Sequence, residues 1–358
     1  MADNKQVIRY PALIRYGEDS IGLDNFWEDL LSQLSLSRVS LVAGPHTINL
    51  FGEDVISVLQ RRGISVKPVI VDSSRRPSVD EVKRIGERAE AIVSVGGGKV
   101  IDVGKMAAHE LYLPFISIPT VLSNDGIASP IAVIDGKSLF ATPPIAVYIP
   151  IDVLRTAPPR HLRAGIGDLI SNLSATEDWE LAHRERGERI LDIAVLLSRG
   201  GAFSVMGLTG DFTLSNSMKM IATGLIQSGL AMEMAGSSRP ASGAEHKVSH
   251  AIDALFKDSV SSLHGEQTAL GTVLAQFLRG EDITGLVAFF QKVGLPWHWS
   301  QIGLSDKEFA IVISFAATKI RPQRYTILEK MGLADLDRAE KVVLELSETL
   351  NKVIRDLP

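Results

Sequence analysis

The chain has 358 residues and no cysteine, which excludes disulfides, thiolate metal sites and thiol nucleophiles together. It lacks a block of basic residues, and its net charge is −5. Both features argue against a general nucleic-acid binder. No apolar run reaches the length of a membrane span. Residues 1–16 contain no apolar segment of the kind a secretory signal needs. Membrane insertion is therefore not expected, and a cytoplasmic location is. Internal repeats and low-complexity segments are also missing. What is present, 45% hydrophobic and 22% charged residues, is the balance of an ordinary globular protein long enough for two domains.

Over the first 150 residues or so, short apolar runs alternate with amphipathic stretches. Strands are expected at 39–43, 66–71, 91–95, 115–118, 131–134 and 146–149. Helices are expected at 48–62, 79–89 and 100–111. This alternation predicts a mostly parallel sheet wrapped by helices, a Rossmann-like α/β domain. Near Pro158 and Pro159 the β-branched runs stop and the periodicity becomes helical: 167–179, 188–197, 214–234, 245–255, 265–277 and 336–354. The expected organisation is an α/β dinucleotide-binding domain over 1–155 and an all-α metal- and substrate-binding domain over 156–358.

Two loops follow expected strands. Gly96-Gly97-Gly98-Lys99-Val100-Ile101-Asp102 leads into a helix. Its glycines let the backbone approach an anion, and the helix start supplies N–H groups and a positive dipole end. The string is neither G-x-G-x-x-G nor a Walker A loop, so phosphate binding and a plain tight turn both remain open on this loop alone. In Pro119-Thr120-Val121-Leu122-Ser123-Asn124-Asp125-Gly126, Thr120 and Ser123 offer donors to a cofactor and Asp125 an acceptor for a substrate hydroxyl. An ordinary turn is the alternative. Asp72, at a strand end, could meet a ribose or simply end the strand.

The helical half carries the histidines. His246 and His250 lie at i and i+4, one face of a helix. His264 follows 18 residues after the first, and Asp168 lies upstream in a helical pattern. One carboxylate and two imidazoles form a metal site with an open position, which is the catalytic pattern. Asp168 also reads as a helix N-cap. Glu245 is expected to orient a neighbour. Arg239 and Lys247 are candidates for a phosphate or for structural ion pairs. His46, His109, His161, His183 and His298 have no partners in sequence and read as surface or packing residues. Trp297 and Trp299 read as core or interface.

In these motifs, with Ile118-Pro119-Thr120, Ile127-Ala128-Ser129-Pro130, Gly167-Asp168, Ser237-Ser238-Arg239-Pro240-Ala241-Ser242-Gly243-Ala244-Glu245-His246 and Leu263-His264-Gly265-Glu266, the chain resembles the iron-containing alcohol dehydrogenase and dehydroquinate synthase superfamily. It is most similar to the branch acting on sn-glycerol 1-phosphate. The resemblance implies a Rossmann-like domain followed by a helical one. It implies that Gly97, Gly98, Lys99, Val100, Ile101, Thr120, Val121, Leu122, Ser123 and Ser129 hold NAD(H) or NADP(H). Asp168, His246 and His264 would bind one Zn²⁺ per subunit, with Asp168 also beside the substrate. Asp125 and His250 would touch the substrate during catalysis. Iron-dependent members carry a histidine four residues after the aspartate; Asn172 stands there, leaving three protein ligands. The implied reaction is reversible NAD(P)-dependent reduction of dihydroxyacetone phosphate, a small phosphorylated triose, for archaeal-type lipid backbones, by a homo-oligomer. A glycerol dehydrogenase and a sugar-phosphate cyclase are the alternatives, and a non-catalytic binding protein is the remaining class.

Overall fold

The computed structural model describes residues 11–71, 84–134, 137–208 and 211–357. Asp72 and most of the expected 79–89 helix lie outside the described residues. The chain divides into two compact units, 1–162 with 209–236 and 163–208 with 237–358. The chain thus leaves the first unit seven residues beyond the boundary read at 155. Thr209–Gly236 returns to it, which helical periodicity alone does not reveal.

In the first unit, β1 (Leu13–Gly17), β2 (Arg38–Ala43), β3 (Ser65–Ile70), β4 (Ala91–Gly96), β5 (Phe115–Pro119) and β8 (Ala146–Pro150) form one sheet in the order β1-β8-β5-β4-β2-β3. All its pairs are parallel. The central strands AIVSVG, FISIP and AVYIP are buried along their whole length, as parallel strands covered on both faces require. Pro68 is tolerated because β3 is an edge strand. β1 is the opposite edge. It is missing from the sequence reading because Leu-Ile-Arg-Tyr-Gly has neither a continuous apolar run nor strict alternation. The strand at 131–134 forms outside the sheet: β6 (Ile131–Ile134) pairs antiparallel with β7 (Lys137–Phe140) in a separate ribbon. Under the sheet, Phe26 packs on Trp27 and Tyr148 with ring centroids 5.3 and 5.2 Å away.

Among the described residues the helices of this unit include α1 (Ser20–Gln33), α2 (Glu53–Arg61), α3 (Gly98–Glu110), α4 (Ile151–Leu154) and α7 (Ser215–Ala235). The expected 48–62 helix begins as a π turn at Ile48–Gly52. α7 is tied to its unit by polar contacts: the Thr223 hydroxyl meets the Tyr16 hydroxyl at 2.7 Å, and Ser228 Oγ donates to Asp125 at 2.8 Å.

The second unit is helical: most of α5 (Pro159–Arg186), then α6 (Asp192–Met206), α8 (Ala244–Phe256), α9 (His264–Leu278), α10 (Thr284–Val293), α11 (Asp306–Thr318), α12 (Ile327–Lys330) and α13 (Leu336–Asp356). α10 and α11 lie within the expected helical half, between the segments singled out from the sequence. α5 starts at Pro159, where proline's missing N–H costs nothing. Asp168 therefore lies about two and a half turns inside the helix and is no N-cap. Trp299 is core, stacked on Phe309 at 4.6 Å. His46 and His183 are exposed; His109, His161, His298 and Trp297 are half-buried.

Candidate functional site

In the first unit the two loops leave neighbouring strands in register. Gly96 pairs with Pro119, and the Thr120 amide donates to the Gly96 carbonyl at 3.0 Å. From β2 the chain moves outward to β3 and then returns to β4 on the other side of β2. The C-terminal ends of β2 and β4 thus flank a topological switch point, the usual ligand crevice of such sheets. Gly97 is the N-cap of α3 and offers no side chain to its first turn. The helix start is thereby suited to a pyrophosphate. Thr120, Leu122 and Ser129 are buried, while Val121 and Ser123 are half-buried and Lys99 is exposed.

The loop carrying Asp125 is fixed from beneath. Lys105, fully buried on α3, donates to the carbonyls of Gly126 at 2.8 Å and Ile131 at 2.6 Å and pairs with Asp102 at 3.5 Å. Asp102 Oδ2 accepts the Val133 amide at 3.0 Å. Asn124 caps the short 3₁₀ turn at Asp125–Ile127 by accepting the Gly126 amide at 2.9 Å.

In the second unit Asp168, His246 and His264 converge, each offering one ligand atom, all within 4.8 Å of one another. Asp168 Oδ1 stands 3.7 Å from His246 Nε2 and 3.6 Å from His264 Nε2. The distances are those of groups around a shared centre rather than of direct hydrogen bonds. α5 and α9 approach closely enough for this because glycine faces glycine. A Cβ on Gly167 would lie 2.2 Å from the Gly265 carbonyl oxygen, and one on Gly265 would lie 1.8 Å from that of Ala164. The residues next in sequence are Asp168 and His264.

The surrounding hydrogen bonds set the tautomers. Glu245 Oε1 lies 3.0 Å from His246 Nδ1. Burial pushes the Glu245 pKa up, but Oε1 also takes the Gly243 amide at 2.5 Å and so acts as an acceptor; Nδ1 then carries the proton and Nε2 presents its lone pair. At His264, Ser249 Oγ donates to Gln267 Oε1 at 2.6 Å, so it accepts from Nδ1 at 2.9 Å. The Gln267 amide nitrogen is spent on Asp253 and Ser262 at 3.0 and 3.1 Å. Both Nε2 lone pairs thus face Asp168, the carboxylate–histidine–metal arrangement. Burial, and then the neighbouring His264, hold His246 well below the usual imidazole pKa, favouring the neutral ligand form. The residues present fit a divalent cation. Replacing Ser249 by alanine removes the acceptor that fixes His264. Metal affinity should fall about tenfold or more, read by competition with a chelator; unchanged affinity would count against this assignment.

His250 lies one turn from His246, its ring 6.5 Å from that of His246 and 6.2 Å from that of His264. It borders the group without joining it. Burial and the charges of His264 and Arg321 also lower its pKa well below the usual value. Asn172 is buried and donates to the Ser198 carbonyl at 3.4 Å. The two phosphate candidates are committed elsewhere. Arg239, buried, forms a two-pronged pair with Glu188 and donates to the Tyr325 carbonyl at 3.0 Å. Lys247, also buried, pairs with Glu329. Both are structural ion pairs. Arg321 and Arg324, unread in the sequence, occupy the cationic position near the histidines instead. Nothing marked them, because they follow Ser242 by about eighty residues in an otherwise ordinary Arg-Pro-Gln-Arg stretch.

The fold has solved counterparts. Glycerol dehydrogenase from Schizosaccharomyces pombe superposes with a TM-score of 0.78 at 19% identity, covering 98% of this chain and 92% of that one. A probable glycerol dehydrogenase from Sinorhizobium meliloti gives 0.74 at 20% identity, covering 99% and 100%. At that identity the likeness is one of fold. Residues 21–158 match the model described as iron-containing alcohol dehydrogenase. Glycerol-1-phosphate dehydrogenase [NAD(P)+] of Pyrococcus furiosus is 41% identical over 316 residues, 86% of this chain and 90% of the relative. The protein of that name from Sulfurisphaera tokodaii is 37% identical over 353 residues, 95% and 97% of the two chains. The chain belongs to the iron-containing alcohol dehydrogenase family, in its glycerol-1-phosphate dehydrogenase branch. Among the described residues no helix is long and apolar enough to cross a membrane.

Proposed function

We propose that the chain catalyses the reversible NAD(P)H-dependent reduction of dihydroxyacetone phosphate to sn-glycerol 1-phosphate, the backbone unit of archaeal-type membrane lipids. The observation that carries this reading is the Asp168, His246 and His264 group, with both imidazole lone pairs oriented toward one carboxylate. Relatives about 40% identical over most of their length, all named for this activity, support the substrate.

Asp168, His246 and His264 would hold one Zn²⁺. The dinucleotide would lie on Gly97, Gly98, Lys99, Val100 and Ile101, with Thr120, Val121, Leu122, Ser123 and Ser129 alongside. When bound, the cation supplies Lewis-acid polarisation of the C2 oxygen and the nicotinamide supplies or takes the hydride. The remaining work falls to the chain. Glu245 and Ser249 keep Nδ1 protonated on their histidines, so both Nε2 atoms stay available as ligands. His250, one turn from His246 and held neutral by burial and adjacent positive charge, would meet the substrate through a hydrogen bond. Asp125, fixed by Ser228 and the Lys105 clamp, accepts a hydrogen bond from a substrate hydroxyl. The same reading makes the protein a cytoplasmic homo-oligomer.

The test is oxidation of NADH and NADPH with dihydroxyacetone phosphate and with dihydroxyacetone. Net cofactor turnover preferring the phosphorylated ketone is expected. Preference for dihydroxyacetone would make the chain a glycerol dehydrogenase. No net oxidation of either cofactor, with NAD(H) still bound, would bring a sugar-phosphate cyclase forward. Neither turnover nor cofactor binding would leave a non-catalytic protein.

A further inference from the structure

The metal group and the cofactor loops leave one feature of the second unit without a role: two arginines converging beside the histidines. Arg321 and Arg324 begin and end a turn closed by the Arg324 amide donating to the Arg321 carbonyl at 2.8 Å. The turn brings both guanidinium groups onto the same two serines. Arg321 Nη1 donates to Ser242 Oγ at 3.0 Å and Ser238 Oγ at 3.3 Å. Arg324 Nη2 donates to Ser238 Oγ at 2.9 Å, and its Nη1 donates to the Ser242 carbonyl. These serines sit in the segment leading into α8, within four to eight residues of His246.

Two observations show that the arrangement is costly. Arg321 has φ +43, a left-handed conformation that non-glycine residues rarely adopt, and it precedes a proline, which restricts it further. Such strain persists only where the surroundings impose it, and it collects at ligand clamps. The second cost is electrostatic. Like charges crowd here: burial, then Arg321 and Arg239, push Arg324 down to about 9, more than Glu188 and Glu245 restore. Arg239 is already occupied by Glu188. The positive charge reaches the site itself, because Arg321 and Arg324 both act on the imidazoles of His246 and His250. Two planar forks and two hydroxyls at a half-buried position match the geometry of a phosphate monoester.

We propose that Arg321 and Arg324, with Ser238 and Ser242, form the subsite that anchors the phosphate of the substrate and so selects the phosphorylated ketone over the free one. The assignment rests on the reading of the chain as a dehydrogenase of a phosphorylated triose. It replaces Arg239 and Lys247 in that role. The same anion chemistry could serve the phosphates of the dinucleotide, and the test separates the two.

Arg321→Gln and Arg321→Lys are compared with the wild type in the full-length, metal-loaded protein, after circular dichroism and metal content have been checked. Kinetics are measured with both ketones and with both NADH and NADPH, and binding of inorganic phosphate by calorimetry. In Arg321→Gln the KM for dihydroxyacetone phosphate should rise about 100-fold or more. Its kcat/KM for dihydroxyacetone should fall far less than that for dihydroxyacetone phosphate, while the KM for each cofactor stays within about threefold. Inorganic phosphate binding should be lost. Arg321→Lys, which keeps the charge but not the fork, should fall between. Equal losses on both ketones would mean a structural role and overturn the proposal. An unchanged ketone preference would also overturn it. A selective rise in KM for NADPH would assign the subsite to the cofactor. If the wild type itself shows no preference for the phosphorylated ketone, the functional reading falls. The phosphate subsite would then be judged by calorimetry alone: loss of phosphate binding in Arg321→Gln supports it, and retention or absence from the wild type overturns it.

Discussion

Asp168→Ala is expected to lower the rate of ketone reduction by about 10³-fold or more, while leaving the protein folded. The magnitude follows from losing Lewis-acid stabilisation worth several kcal/mol. Asp168 is the anionic member of the group, 4% exposed and equidistant, within 0.1 Å, from the two Nε2 atoms. Removing it leaves two neutral imidazoles to hold a divalent cation, a ligand set with no charge to offset the ion's desolvation. Stability should suffer less than activity, because a buried carboxylate in the metal-free protein is itself unfavourable. Asp168→Asn keeps the volume and an oxygen donor and should recover part of the metal affinity. The measurements are metal stoichiometry after dialysis, steady-state rate and thermal unfolding. Full activity with a full metal complement in Asp168→Ala would remove the residue from the site.

Gly265→Ala should be the most damaging single methyl group in the second unit, costing about 3 kcal/mol or more. The added Cβ would meet the Ala164 carbonyl oxygen at 1.8 Å and its carbon at 2.5 Å. These are backbone atoms of α5, so no rotamer change relieves the contact and the two helices must separate. The separation also reaches the site, because Asp168 and His264 ride on the helices that part. Loss of metal affinity should therefore accompany the loss of stability. Gly285→Ala is the control. It lies in α10, with nothing within 4 Å of its Cβ position, and the gain in helix propensity should leave stability unchanged or raised by up to about 1 kcal/mol. Denaturant unfolding of both variants measures the contrast. Equal stabilities would show that the glycine contact does not set the helix spacing.

The parts of this account that were legible in the sequence are those written in local pattern. The i, i+4 histidines fall on one helix because helical periodicity fixes their face. The glycine loop sits between β4 and α3 because apolar runs and turn residues mark both ends. What escaped depends on distant partners. Asp168 also reads as a cap until the start at Pro159 places it inside the helix. The edge strand β1 is too mixed in polarity to stand out alone. That Thr209–Gly236 belongs with the sheet follows from contacts such as Ser228 to Asp125, which no local window contains. Arg239 and Lys247 looked available because their partners, Glu188 and Glu329, are about fifty and eighty residues away. Arg321 and Arg324 were overlooked for the same reason, since their importance lies in meeting Ser238 and Ser242.

The most direct test of the central claim is a metal titration of activity. Protein stripped by chelation is returned stepwise to Zn²⁺, with NAD(P)H oxidation by dihydroxyacetone phosphate followed at each step. Negligible rate is expected in the stripped protein, followed by a rise that saturates at one Zn²⁺ per chain. Full turnover by the metal-free protein, or activity indifferent to added metal, would contradict it.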